Sequence, residues 1–289
     1  MSTLRILLLT GAAMLAFAAN SLLCRLALAQ PRIDPGSFGS IRLVSGALVL
    51  ALIVRMRAGS DAPSRSDWLA ATMLFAYVAL FSFAYLSLSA GTGALILFGA
   101  VQLTMLGAGL RAGERFAPAA WAGLVAAVAG LVYLVSPGVS APAPLGATSM
   151  ALAGAAWGVY SLRGRGIADP LAATASNFAR AVPLALALSV LTAGTVHADG
   201  PGVALAVASG ALSSGIGYVI WYAALRGLTA MRAATVQLSV PPIAAIGGAL
   251  MLAEPLTPRL MVASAAILGG IAVVLATRAR AVARVATSR

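Results

Sequence analysis

Glu114–Pro137 reads ERFAPAAWAGLVAAVAGLVYLVSP, and a shift of 140 residues finds its like in Glu254–Thr277, EPLTPRLMVASAAILGGIAVVLAT. Glu114 falls on Glu254, Pro118 on Pro258 and Gly130 on Gly270, with no gap. The same shift carries Phe17, Ser21 and Arg25 onto Trp157, Ser161 and Arg165, and a shift of 137 carries Phe81 and Tyr85 onto Tyr218 and Tyr222. Self-similarity at a fixed offset marks a chain built from repeated units. Here it runs nearly end to end, so two similar halves are expected, residues 1–140 and 141–289.

The composition says where such halves live. The chain is 61% hydrophobic and 9% charged, with a mean hydropathy of +0.98. Soluble domains are nearer half apolar and a quarter charged, so this is a polytopic membrane protein. All 19 basic residues are arginines, scattered singly or in pairs between apolar runs. Nucleic-acid binders gather their cations on one face, and nucleic acid is excluded as a partner. Cys24 is the only cysteine, which rules out an intramolecular disulfide.

A bilayer span takes roughly 20 mostly apolar residues. Ten segments qualify: about 5–24, 37–54, 68–88, 92–110, 118–135, 145–163, 171–194, 203–223, 230–252 and 259–277. Each is far longer than a barrel strand, so the expected class is all-α with ten transmembrane helices. Arg5, the apolar run after it and the AFAA sequence imitate a cleaved signal peptide. The repeat argues otherwise, because the partner segment Ala155–Arg165 lies inside the chain.

Short-loop arginines set the orientation. With the N-terminus inside, fourteen arginines fall on the cytoplasmic side, including Arg65, Arg115, Arg280, Arg284 and Arg289, against three outside: Arg25, Arg32 and Arg259. Both termini are therefore expected to be cytoplasmic. Five helices per half is an odd number, so the second half enters from the opposite side and the repeat is inverted. Inverted repeats with a site at their interface are a recurring plan of secondary transporters. Thr257-Pro258 reads as a helix cap followed by proline in the first turn. Ala126/Gly130 and Ala266/Gly270 are small-xxx-small pairs that let helices five and ten approach closely as scaffold.

Ten helices in two inverted halves, each closing on a short-loop glutamate, a proline and a glycine-containing last helix, resemble the EamA-type drug/metabolite transporter (DMT) superfamily. Within it, Gly91–Glu114, GTGALILFGAVQLTMLGAGLRAGE, is most similar to the YddG-like amino-acid exporter branch. The resemblance spans the full chain. It implies a basket of helices around a central cavity, with helices five and ten apart from the substrate path. It also implies efflux of amino acids, aromatic and other neutral ones above all, across a bacterial inner membrane. The small multidrug-resistance branch carries a glutamate in its first helix; here that helix has only Asn20 as a strongly polar member.

Polar groups inside spans are costly and often functional. Arg180, with Asn177 one turn earlier, is a candidate cation for a substrate carboxylate; the competing reading is a structural arginine bonded to helix carbonyls or a loop acid. Arg42 is a second candidate, although snorkelling to the interface explains it more cheaply. Gln102 lies in mid-helix four and Gln237 in the corresponding helix nine, where Pro241-Pro242 removes two backbone donors and is expected to kink or unwind the helix. Tyr77 and Phe81, Trp157 and Tyr160, and Tyr218 sit at helical spacings that place each set on one face. Tyr85 and Tyr222, near helix ends, read as an interfacial belt. Core packing is the alternative for each aromatic.

All seven acids, Asp61 among them, fall in loops or at helix ends. With no carboxylate in a span to carry a proton, a facilitator or exchanger is expected. His197 reads as a solvated loop residue. No HExxH, paired aspartates or Ser/His pair occupies the spans, so neither an enzyme nor a metal or cofactor site is expected. A channel lacks its charge rings or carbonyl filter. The expectation is thus a monomer-competent amino-acid exporter, with drugs, nucleobases or other small metabolites as the alternative cargo.

Overall fold

The computed structural model describes residues 2–57, 67–114 and 116–287, with the side chains of 230, 231 and 279–287 set aside. Asp61, Arg65, Arg115 and Arg289 lie outside these residues, and of Arg280 and Arg284 only the helical backbone is described. Among the described residues the chain is an all-α bundle of ten helices: α1 (Thr3–Ala29), α2 (Pro35–Met56), α3 (Trp68–Ala84), α4 (Ala90–Arg111), α5 (Pro118–Val135), α6 (Pro144–Arg163), α7 (Pro170–Leu191), α8 (Gly200–Leu225), α9 (Ala230–Gln237 and Val240–Leu252) and α10 (Pro258–Thr287). Eight are long and apolar enough to cross a membrane; α3 is apolar but only 17 residues long.

Short polar residues open the helices. Asp34 accepts from the Ser37 amide at 2.9 Å, Asp67 from Ala70 at 3.0 Å, Asp199 from Gly202 at 2.6 Å and Thr257 from Leu260 at 3.2 Å. Each satisfies an amide that has no partner within its helix. Prolines occupy the first turns of α2, α5, α6, α7 and α8, where a missing N–H costs nothing.

Packing follows the repeat. α2 packs on α7, α4 on α9 and α5 on α10; α3 on α6 is matched by α8 on α1, α4 on α6 by α9 on α1, and α3 on α7 by α8 on α2. Exchanging the halves turns this set of contacts into itself. The glutamates obey the same rule. Glu114 follows Gly113 (φ +85°) and donates its amide to the Gly109 carbonyl; Glu254 follows Ala253 (φ 52°) and donates to Gly248. A left-handed residue therefore ends α4 and α9 and aims each carboxylate back at its helix.

α5 and α10 touch backbone to backbone. A Cβ built on Gly123 would strike the Gly270 carbonyl oxygen, one on Gly270 would strike that of Gly123, and Gly130 packs against Ala266. Gly130, Ala266 and Gly270 thus sit at the crossing as their spacing implies, with Gly123 added and Ala127 in place of Ala126.

Two helices are irregular. α9 breaks at Leu238–Ser239, where amides turn back to the Thr235 and Val236 carbonyls, and Pro241 and Pro242 begin the second piece. The break therefore falls just before the prolines, which a helix tolerates in its first turn but not in its middle. In α8, Ser209–Ile216 winds as a π-helix. Gly210 within it lies so close to α2 that a Cβ would meet Ser45 Oγ and the Arg42 carbonyl oxygen. Such widened turns occur mostly as single insertions, often at functional sites.

Candidate functional site

A cavity of about 690 Å³ enters the bundle from one end, that of the α6 and α10 C-termini. Asp67, Arg163, Arg165 and Arg278 stand at its mouth, and Phe17, Trp157 and Tyr218 form its floor. Gln102, Asn177 and Gln237 line the walls, with Tyr160, Thr174, Trp221 and Tyr222. The Tyr222 and Thr174 hydroxyls are bonded to each other at 2.8 Å. Tyr222 thus faces the cavity rather than an interfacial belt, because α8 packs its aromatic face inward against α1 and α7.

Behind the floor is a chamber of only about 10 Å³, bounded by Phe17, Asn20, Ser21, Tyr77, Phe81, Leu97, Phe98, Trp157 and Tyr218. That is room for about one water. Trp157 stacks on Tyr77 at 5.2 Å between ring centres and meets Phe17 and Phe98 edge-on at 6.2 and 5.2 Å. Phe17 also touches Tyr218 and Trp221 edge-on at 6.1 and 5.8 Å. These are favourable aromatic geometries, and they separate chamber from cavity.

Arg42 lies beyond that layer. It is 2% exposed, so it does not snorkel. α2 is in contact with α7, α8 and α3, and the guanidinium is enclosed among them. Its Nε donates to Ser214 Oγ on the π-helix at 3.2 Å and its Nη2 to the Tyr77 hydroxyl at 2.9 Å. The guanidinium carbon sits 5.1 Å from the Tyr77 ring centre and 4.9 Å from that of Phe81. Asn20, turned so that its Oδ1 faces Arg42, accepts from Nη2 at 3.3 Å and donates to the Ser209 carbonyl at 3.2 Å.

Nine of the twelve candidate residues line one of these two spaces: Asn20, Tyr77, Phe81, Gln102, Trp157, Tyr160, Asn177, Tyr218 and Gln237. Arg42, Arg180 and Pro241 do not. Arg180 is only partly buried and donates to Ser176 one turn back on its own helix. Pro241 is buried in α9, leaving Ala233, Ala234 and Gln237 of the preceding piece to face the cavity. Sequence reasoning missed Phe17 as a floor residue and the serines of the π-helix. The run SGALSSGIG, seven small residues in nine of an otherwise apolar helix, was the available signal.

At the opposite end the bundle is tied shut. Arg25 Nε pairs with Glu254 Oε1 at 2.9 Å, and Arg25 Nη1 donates to the Tyr85 carbonyl at 3.0 Å. Glu254 Oε2 accepts from the Ala90 amide at 2.7 Å. One clasp thus joins α1, the α3–α4 turn and the α9–α10 loop. Tyr85 is fully buried beneath it, its ring against Gly93, instead of lying in a belt. Nearby, Asp34 accepts from the His197 amide at 3.2 Å, and Arg32 pairs with Asp199 at 3.4 Å. His197 is therefore anchored through its backbone while its ring stays exposed. Burial pushes the Asp34 carboxyl up, but the bonds from Ser37 and His197 outweigh it and hold the group below the usual range.

At the mouth, Arg163 Nε donates to Asp67 Oδ2 at 2.9 Å, and this bond holds the Asp67 carboxyl below the usual carboxylate range. A depressed folded value means that the pair stabilises the protein above about pH 4. The contribution fades as pH falls through the lower, folded value. Asp67→Asn is expected to be less stable than wild type at pH 7, with the two thermal midpoints converging on acidification. Differential scanning fluorimetry across pH 3–7 in detergent checks this.

The comparisons with known proteins bear on this architecture. Residues 144–276 match the EamA-like transporter family. The chain is 55% identical over 274 residues to the uncharacterized protein PA1977 of Pseudomonas aeruginosa, covering 95% of this chain and 96% of that one. The second half of the chain is an EamA-like transporter domain. A crystal structure of another protein shares the fold, with a TM-score of 0.64 at 22% identity over 91% of this chain and 95% of that one. This EamA-like chain is accordingly a multi-pass membrane transporter of small molecules.

Proposed function

We propose that this transporter exports amino acids, aromatic and other neutral ones, across a bacterial inner membrane by alternating access. The observation that carries the reading is a deep cavity open at one end and tied at the other by the Arg25–Glu254–Ala90 clasp, with an aromatic floor between. In the proposed orientation both termini are cytoplasmic and the open mouth faces the cytoplasm. Halves 1–140 and 141–289 exchange conformations to move the opening to the other side.

Aromatic faces suit an apolar side chain, and the amides of Gln102, Asn177 and Gln237 offer both donors and acceptors to a zwitterion. Among the described residues the only carboxylate lining the cavity is Asp67 at the mouth, already paired with Arg163. Transport is therefore proposed to be facilitative, by a single chain, without cofactor or catalysis. The same aromatic floor is also flat enough to stack a nucleobase, which is the second reading.

Counterflow in proteoliposomes containing this protein alone tests the proposal, with labelled phenylalanine and a panel of unlabelled competitors. Saturable uptake, competed by neutral and aromatic amino acids and unchanged when a pH gradient is collapsed, is expected. Exchange of a nucleobase or cationic drug but of no amino acid overturns the cargo and leaves the carrier.

A further inference from the structure

We infer that Arg42 is the anchor for a carboxylate of the transported molecule, a role that rests on the transport reading of the same cavity. A guanidinium at this depth is expensive. Arg42 is the eighth residue of α2, about 10 Å along the helix from its start at 1.5 Å per residue, and central arginines cost about 3 kcal/mol or more to insert. Arginines in membranes offset that cost with an acid or with backbone carbonyls, and among the described residues Arg42 has neither. The six described carboxylates are engaged elsewhere: Asp34 with Ser37 and His197, Asp67 with Arg163, Glu114 with Arg278, Asp169 with the α7 amides, Asp199 with Arg32 and Glu254 with Arg25. The ligands Arg42 does have, Ser214, Tyr77 and Asn20, are all neutral.

Its donors are also incompletely used. Arginine presents a fork of five N–H groups, and among the described residues Arg42 Nη1 meets no acceptor although it is fully buried. An unmade bond to a buried donor is a standing cost. A carboxylate accepting from Nη1, and from Nη2 in place of Asn20, would neutralise the charge and fill the fork in the bidentate geometry arginine favours. Access runs through the small chamber, since Asn20, Tyr77 and Phe81, which hold the guanidinium, are three of its walls. Tyr77 is already covered by Trp157 and Arg42, and the rings of Phe17, Trp157 and Tyr218 are left to meet an ammonium group, for which no acid lines the chamber. Arg180, by contrast, is partly exposed and satisfied on its own helix.

Three probes separate the groups of the ligand: phenylalanine, 3-phenylpropionate (carboxylate without ammonium) and phenethylamine (ammonium without carboxylate). Binding to the purified full chain is read by tryptophan fluorescence, alongside phenylalanine counterflow. Wild type is expected to bind the first two at least tenfold more tightly than phenethylamine, and Arg42→Gln to lose that preference. Arg42→Lys, which keeps the charge without the fork, should fall between and carries the test if Arg42→Gln does not fold. Equal carboxylate binding by Arg42→Gln and wild type, or phenethylamine binding as tightly as phenylalanine, overturns the anchor. Arg42-dependent binding of phenylpropionate without phenylalanine counterflow keeps the anchor and sinks the amino-acid reading. Counterflow of phenylalanine that ignores Arg42 does the reverse.

Discussion

Alanine at Gly270 is expected to destabilise the protein severely, while alanine at the adjacent Gly269 leaves it unchanged or improves it. The two residues occupy one helix and one turn, so helix propensity predicts the same small gain for both, about 1 kcal/mol. Their surroundings differ. A Cβ on Gly269 meets nothing within 4 Å, whereas one on Gly270 lands on the Gly123 carbonyl oxygen and close to the Ala127 amide. Backbone cannot rotate away as a side chain does, so α5 and α10 must separate along their whole crossing. Overpacking in well-packed sites costs about 1–3 kcal/mol, and a collision with backbone belongs at the upper end. Thermal midpoints of Gly269→Ala, Gly270→Ala and Gly123→Ala in detergent decide the matter. Equal midpoints for the Gly269 and Gly270 variants would show that the helices do not touch as described. Because neither helix supplies floor or amide residues to the cavity, the Gly270 variant that survives should retain wild-type substrate selectivity.

The second large effect is expected at the clasp. Glu254→Ala removes the ion pair with Arg25 and the acceptor for the Ala90 amide together. Losing one partner of a largely buried pair leaves an uncompensated charge and is strongly destabilising to the arrangement that held it. The state in which this end is closed should lose at least tenfold in population relative to its alternatives. The chain carries its own reporter. Cys24, the sole cysteine, is fully buried next to Arg25. A membrane-impermeant maleimide should therefore label Cys24 at least tenfold faster in Glu254→Ala than in wild type. Glu254→Gln, which keeps an acceptor for Ala90 but no charge, should lie between. Labelling as slow as wild type in Glu254→Ala would mean that the clasp does not hold the end shut.

How far these features were legible follows from what a bilayer does to sequence. Length and apolarity of the spans survive in the chain because the membrane demands both, and all ten helices fall where the apolar runs lie. Deviations are confined to ends such as α1, which continues to Ala29, and α10, which continues to Thr287. Facing is different. When lipid and core are both apolar, a helix shows no contrast between its sides, so nothing in the residues around Arg42 and Arg180 says which of them points inward. Sequence reasoning offered both Arg180 and Arg42 as candidate cations, each against a structural reading; of the two, Arg42 is the fully buried one. Aromatic spacing was more informative, since Tyr77/Phe81 and Trp157/Tyr160 are bulky enough that a shared face requires a shared space. Tyr85 misled because position near a helix end mimics a belt residue, whereas the tight turn into α4 folds it under Gly93. The π-helix was hidden for a separate reason. Its extra residue per turn comes from the close approach of α2 at Gly210, a tertiary contact that local composition only permits.

The two glutamates of the repeat are placed alike but partnered differently. Glu254 holds Arg25, whereas Glu114 holds Arg278 of α10 and leaves Arg165, the counterpart of Arg25, at the cavity mouth. Ion pairs join the two halves at both ends, but the Arg25–Glu254 pair closes its end while Asp67–Arg163 and Glu114–Arg278 flank an open mouth, so the resting population is skewed toward one opening. For a passive carrier, such a skew cannot favour net movement in either direction, since equilibrium demands the same ratio of maximal rate to half-saturation from both sides. It appears instead as a trade: with return of the empty carrier limiting, turnover and half-saturation are both high when cargo is offered at the resting mouth, and both low when it is offered at the fastened one, where each cycle must break the clasp unloaded.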